Sequence, residues 1–251
     1  MSQRWLGRGW TVFGTYRTVS PALDQLRQAG LQLVYCDLSE AQSVHDACSR
    51  LRMLCPPWDV LVICAGTLEP VGPFMECRFD DWEESVSANF TGQMRIIHEL
   101  LPSRRIKTAP EPCVLLFAGG GTNNAPVNYS AYLISKIALI KMCELLDAEI
   151  PDTRFVIVGS GWVKTKIHAA TLTAGVQAGA NYQRTIEKLA NDEWTPMERV
   201  LDCCDWVLNA ARELVSGRNF SVVFDKWGTE ELAENLIKEP NMYKLRRYGN
   251  N

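Results

Sequence analysis

The run Cys113-Val114-Leu115-Leu116-Phe117-Ala118 constrains this chain more than any other stretch. Six apolar residues without alternation suit a strand covered on both faces, because a strand with one wet face would carry polar side chains at every second position. Gly119-Gly120-Gly121 stops the run, and a polar loop leads into a helix over about residues 129 to 150. That helix is apolar nearly all round, with Leu133, Ile137 and Ile140 on one side and Ile134, Ala138, Met142 and Leu145 on another. Such a helix is expected to be covered twice, by its own sheet and by another subunit.

The same strand-then-helix unit recurs. Residues 2 to 8 read as the end of a helix, residues 10 to 16 as a strand, and Pro21 to Ala29 as a helix with Ser20 as cap, Pro21 at its first position and Gly30 at its end. Leu31 to Cys36 reads as a strand, Glu40 to Leu54 as a helix capped by Ser39, and Asp59 to Ala65 as a strand ended by Gly66. Helical spacing covers Asp80 to Leu101, and a strand is expected at Arg154 to Val158. An irregular, Gly-containing segment then runs to about 191, before a helix over Pro196 to Leu214, a strand at Phe220 to Phe224 and a polar, basic tail. Strands alternating with helices of ten to twenty residues predict an α/β fold, a doubly wound parallel sheet in a single domain. Ligands in such folds gather beyond the carboxyl ends of the strands, so the loops after 16, 36, 65, 118 and 158 are expected to face one crevice.

Composition narrows the partners. The 251 residues, 47% of them hydrophobic, suffice for one large core. A formal charge of −3 with both signs interspersed argues against a nucleic-acid or anionic-membrane surface, leaving a small molecule as the expected ligand. No apolar run is long enough to span a bilayer, and the N-terminus does not read as an export signal. The nine cysteines include no Cys-x-x-Cys pair, and Cys36, Cys64 and Cys113 sit inside apolar runs as small hydrophobes. They fit neither a zinc site nor a disulfide framework, so no metal and a reducing, cytoplasmic setting are expected. His45, His98 and His168 are scattered and read as structural or surface residues.

Tyr132 and Lys136 carry the chemistry. Four positions apart on a helix, they share a face one turn apart. A nearby cation favours a phenolate, so Lys136 is expected to lower the pKa of Tyr132 from about 10 and equip it to pass a proton to or from an alcohol or carbonyl oxygen.

With this pair in its setting, the chain resembles the short-chain dehydrogenase/reductase family from residue 3 onward. The resemblance implies that Tyr132 transfers the proton while Lys136 tunes it and holds the nicotinamide ribose. It implies that Asn89, in Ser87-Ala88-Asn89-Phe90-Thr91-Gly92, holds a water in the proton path. Asp37, with Leu38 beside it, would bind the adenine end, and Thr165, after Gly161, would contact the cofactor. Ala65-Gly66 matches the end of the family's Asn-Asn-Ala-Gly, with Ile63-Cys64 in place of both asparagines. Arg17, at the end of a strand where NAD users carry an acid, implies NADP, with NAD as the alternative. The implied activity is hydride transfer between nicotinamide and a carbonyl or alcohol, in a homodimer or homotetramer built on the 80 to 101 and 129 to 150 helices. The segment from 165 to 191 would form a lid, with Gly175 and Gly179 giving it mobility.

Two departures stand against these matches. The family opens with a strand and a Thr-Gly-x-x-x-Gly-x-Gly turn that holds the pyrophosphate; this chain begins inside the helix that should follow, and Gly7-Arg8-Gly9 reads as a helix stop. An N-terminal truncation is therefore expected, leaving a gap in the sheet or forcing the flanking strands to pair. The family's serine, about thirteen residues before the tyrosine, is replaced by Ala118-Gly119-Gly120-Gly121, which leaves Thr122 as the nearest hydroxyl able to position a substrate. Together these departures keep open an alternative, a non-catalytic relative acting as a binding or partner subunit.

Overall fold

A computed structural model describes residues 1 to 247. In chain order its elements are α1 (Ser2–Gly7), β1 (Phe13–Tyr16), α2 (Pro21–Gln28), β2 (Gln32–Tyr35), α3 (Ala41–Leu54), β3 (Val60–Ile63), α4 (Phe79–Val86), α5 (Gly92–Leu100) and β4 (Cys113–Ala118). There follow α6 (Ser130–Glu149), β5 (Arg154–Gly159), α7 (Ala169–Ala174), α8 (Ala180–Asn191), α9 (Met197–Asn209), α10 (Arg212–Val215), β6 (Arg218–Ser221) and α11 (Glu230–Lys238). Every strand pair is parallel, as crossover helices require.

The strands form two ladders, β3-β4-β5-β6 and β1-β2. Among the described residues no strand bridges them, so of the two outcomes expected, a gap or direct pairing, the gap is the one found. Burial records its effect. The first four residues of β4 and the first five of β5 are buried, whereas β1 has no buried residue and β3 only Ile63. The two ladders nevertheless share both apolar layers. On one side Val34, Ile63, Val114 and Phe155 pack with Val44 of α3, Ile97 of α5 and Leu139 of α6, and Phe13 joins them. On the other side Val12, Val60 and Val62 pack against Val156, Val207 of α9 and Leu236 of α11.

Buried cations stitch the strands to the helices. Arg154, 1% exposed, donates from its guanidinium to the carbonyls of Val207, Leu208 and Ala210 at the end of α9 and to that of Glu111. Carbonyls at a helix end have no partner within the helix, and a fixed cation satisfies them. Arg218 does the same for Leu236 at 2.8 Å and Met242 at 2.6 Å. The last strand therefore runs Arg218–Ser221 rather than Phe220 to Phe224: a buried arginine opens it, and Ser221 ends it in a turn where its N–H donates to Asp225 Oδ2 at 2.6 Å.

Several boundaries differ from the sequence expectation. Residues 166 to 191 are mostly helical rather than irregular, because Gly175 (φ 55°) and Gly179 (φ 58°) divide short helices instead of marking a loop. The 196 to 214 helix breaks between α9 and α10, and α11 is a further helix, capped by Thr229 whose hydroxyl accepts from Leu232 N at 3.2 Å. Ser39 is not a cap: its hydroxyl donates to Asp37 at 2.8 Å, and Glu40 occupies the cap position of α3. The 80 to 101 helix carries a π-turn at Ser87–Thr91, and the last four residues of the basic tail lie outside the described residues.

Candidate active site

The loops after β1, β2, β3, β4 and β5 converge on one crevice of about 1940 Å³, which α7, α8 and the start of α9 also border. Tyr132 and Lys136 of α6 line it. The Lys136 ammonium donates to the carbonyl of Phe117 at 3.0 Å and stands 5.8 Å from the centre of the Tyr132 ring. The Tyr132 hydroxyl makes no hydrogen bond among the described residues. Gly119 explains how β4 comes so close: a Cβ there would lie 2.7 Å from the Tyr132 oxygen and 2.9 Å from Cγ of Lys136. The strand's end is thus pressed against the pair, and a glycine is the residue that allows it.

Burial governs the acid–base character of both groups. It pushes the Tyr132 phenol up to about 12 and the Lys136 ammonium down to about 8. This corrects the expectation that the ammonium lowers the phenol: desolvation of the phenolate is what acts on Tyr132, and it raises the value. Tyr132 is thus a neutral hydroxyl at pH 7, able to donate a proton, and Lys136 a cation that loses its charge near pH 8.

Asn89 lies in the π-turn and is fully buried. Its Oδ1 accepts from Thr67 N at 2.9 Å, and its Nδ2 donates to Thr67 O at 2.9 Å and Ser85 Oγ at 3.2 Å. The extra residue in the turn lets the helix aim this amide at the loop after β3, a known use of π-bulges. The amide thus latches that loop, using both Nδ2 hydrogens and one lone pair of Oδ1. A Cβ on Gly66 would lie 3.2 Å from Asn89 Oδ1 and 3.7 Å from Lys136 Nζ, so Ala65-Gly66 runs directly between the latch and the lysine.

At the other end, Asp37 accepts from Ser39 N at 3.0 Å and from Ser39 Oγ at 2.8 Å. Burial alone would raise its carboxyl, but these bonds and the Arg17 cation hold it below the usual range. Leu38 is fixed by a close approach of two backbones: a Cβ on Gly92 would lie 2.1 Å from the Leu38 carbonyl. Arg17 is exposed and forms no ion pair among the described residues. Thr122 and Thr165 are exposed and line the crevice. Of the residues singled out by sequence, only Asn89 does not line it.

Sequence reading missed three features. Cys64 is exposed at the end of β3 and lines the crevice instead of filling the core. Tyr129 donates to or accepts from Thr171 at 3.0 Å in a buried bond that ties α7 to the entry of α6. Trp162, His168 and Trp194 form an aromatic group beside α8, His168 stacking on Trp162 at 5.2 Å and tilted on Trp194 at 5.2 Å. The signal for this group was the aromatic pair Trp162 and Trp194 flanking a predicted lid, which spacing alone does not join.

The chain has counterparts among known proteins. A family model described as short chain dehydrogenase matches residues 1–174. Short chain dehydrogenase pgmD of Aspergillus terreus is 27% identical over 196 residues, covering 73% of this chain and 57% of that protein. Serine 3-dehydrogenase of Rhizobium radiobacter is 29% identical over 104 residues, covering 41% of this chain and 42% of that protein. The chain thus spans little more than half the length of pgmD. Among solved structures, the KRED1-Pglu enzyme superposes with a TM-score of 0.74 at 20% identity, covering 87% of this chain and 93% of that one. A variant of actinorhodin polyketide ketoreductase with NADPH also scores 0.74 at 20% identity, covering 88% and 89%. 4-Hydroxyisoleucine dehydrogenase complexed with NADH and succinate scores 0.69 at 18% identity, covering 87% and 90%. The structural matches establish the fold; with the family model spanning more than half of the residues, they make this chain a member of the short-chain dehydrogenase family, a family of oxidoreductases.

Proposed function

We propose that the crevice binds a nicotinamide dinucleotide and that the chain transfers hydride between it and a carbonyl or alcohol substrate. The observation that carries this reading is the Tyr132–Lys136 pair abutting the end of β4, with a neutral phenol free to donate. The donor set suits the cofactor at both ends. Asp37, kept ionised by Ser39 and Arg17, and Leu38 would hold the adenosine end, and Arg17, exposed and in no close ion pair among the described residues, favours a 2′-phosphate and hence NADP over NAD. Lys136, Thr165, Ala65 and Gly66 would hold the nicotinamide end. When bound, the cofactor supplies the hydride donor or acceptor.

The chain's own residues do the rest. Tyr132 donates its proton to a carbonyl oxygen in reduction and takes it back in oxidation. Lys136, held by Phe117 O, places positive charge beside the phenolate that donation leaves. Thr122 is the hydroxyl available to position the substrate oxygen, and α7 with α8 covers the site. Structures solved with NADH and with NADPH among the fold's neighbours support a nicotinamide ligand. The exposed Ile134 and Leu145 on α6, an apolar face left by its own sheet, support a homodimer or homotetramer through that helix. Nine unpaired thiols support a reducing, cytoplasmic compartment.

A second reading, a non-catalytic binding subunit, is favoured by Gly119 standing where a serine would be expected. Thermal unfolding with NADPH and with NADH separates the two. A ligand bound only by the fold stabilises it by about 2.7 kcal/mol at one hundred times its Kd, so the midpoint should rise, more with NADPH than with NADH. No rise with either would favour the binding subunit.

A further inference from the structure

The lid end of the crevice holds more positive charge than its neighbours balance. Lys166, Arg184 and Lys188 line it, with Lys164 just behind on Asp192, against two lining carboxylates at this end, Asp192 and Glu193. Lys164 is taken by Asp192 at 2.8 Å, and Lys188 meets Glu193 only at 3.8 Å. Arg184 and Lys166 have no ion pair among the described residues, in a chain whose overall formal charge is −3.

The arrangement of Arg184 is specific. Its guanidinium lies 5.3 Å from the centre of the Trp162 ring, and Lys188, one turn along α8, puts its ammonium 5.7 Å from the same ring. Two like charges at that helical spacing repel. Stacking on an indole holds an arginine's planar fork while leaving its N–H edge available, the arrangement that suits bidentate capture of a carboxylate or phosphate. An anion seated there would relieve the repulsion. The position is also within reach of the chemistry. Gly159 pairs with Ala118, the neighbour of Gly119 that abuts the Tyr132 hydroxyl, and Trp162 lies three residues beyond Gly159. From Gly119 to the Trp162 Cα that path is at most roughly 20 Å, and Tyr132, Trp162 and Arg184 all line the same crevice.

We propose that Arg184 and Lys188, arrayed over Trp162, bind an anionic oxygen group of the substrate, a carboxylate or phosphate carried at some distance from its reacting carbonyl. This rests on the oxidoreductase reading and specifies its substrate class.

The test is NADPH-dependent reduction of a series of straight-chain oxo-carboxylates of increasing length, each beside its methyl ester. At one length or more, KM for the acid should lie about tenfold or more below that for the ester, as a charge-assisted bidentate contact implies. Arg184→Gln with Lys188→Gln should remove that preference, without a comparable loss of NADPH affinity. Arg184 is exposed and makes no hydrogen bond among the described residues, and Lys188 makes only long contacts to Glu193, 3.4 Å to its carbonyl and 3.8 Å to its carboxylate, so the variant should fold, as circular dichroism would verify. Equal KM values for acid and ester at every length, or a preference that survives in the variant, would overturn the proposal. So would a variant that loses NADPH affinity instead, since the anion would then belong to the cofactor. If no carbonyl compound is turned over, the oxidoreductase reading fails and the anion site is judged by itself. Succinate and inorganic phosphate, titrated against tryptophan fluorescence, should then give a saturable change that the variant lacks, and its absence would refute the site.

Discussion

Gly119 shows how a residue that looks like a loss in the sequence is required by its surroundings. With the Tyr132 oxygen 2.7 Å from where its Cβ would stand, a serine there must displace the phenol, whereas a Cβ on Gly120 meets nothing within 4 Å. Gly119→Ser should therefore lower turnover by about tenfold or more through a misplaced proton donor, while Gly120→Ser should leave it nearly unchanged; steady-state kinetics of the two variants checks this. Lys136 gives a second prediction. Its pKa of about 8 in the fold lies below the 10.5 of a free lysine, so between these values the unfolded chain binds more protons than the folded one. The buried ammonium thus weakens the fold most below about pH 8, and the penalty fades as pH rises toward 10.5. Lys136→Met should stabilise the protein by about 1–3 kcal/mol at pH 7, with a gain that shrinks across that window. Denaturant unfolding at pH 7 and pH 10 measures it, and a gain independent of pH would contradict the assignment.

At the scale of elements, Arg154 is the clearest case of one side chain joining two structures. Its methionine variant keeps the bulk but strips the carbonyls of Val207, Leu208, Ala210 and Glu111 of their donors, so it should cost about 3 kcal/mol, read as a lower denaturation midpoint. The strands and long helices were legible because their apolar runs are unbroken, as in β4 and α6. Short helices after β5 were not, because two glycines and a low count of apolar residues resemble a loop until Thr171 meets Tyr129 and α8 settles over Trp162. The π-turn was equally hidden: nothing in the spacing around Asn89 reveals that a helix must bulge to aim it at Thr67. The tuning of Tyr132 was misjudged because sequence gives the partner's identity and spacing but not the desolvation that decides the sign.

For the whole molecule, the consequence of two ladders sharing a core without a joining strand is uneven stability. Hydrogen exchange should protect the amides of β4 and β5 far more than those of β1 and β3, each of which pairs along one edge only among the described residues. Comparable protection across all four strands would mean that the gap is closed in solution. The crevice spans both ladders, with Arg17 and Asp37 on one and Lys136 reaching over the other, so ligand binding should reduce this difference. The most direct test of the account is NADPH oxidation in the presence of a panel of ketones and aldehydes, followed at the nicotinamide absorbance for the native chain and for Tyr132→Phe. The account predicts carbonyl-dependent oxidation that falls by about 10²–10⁴-fold in the variant, with NADPH affinity retained. Turnover that survives the loss of this hydroxyl would contradict it, as would NADPH binding without turnover of any carbonyl compound.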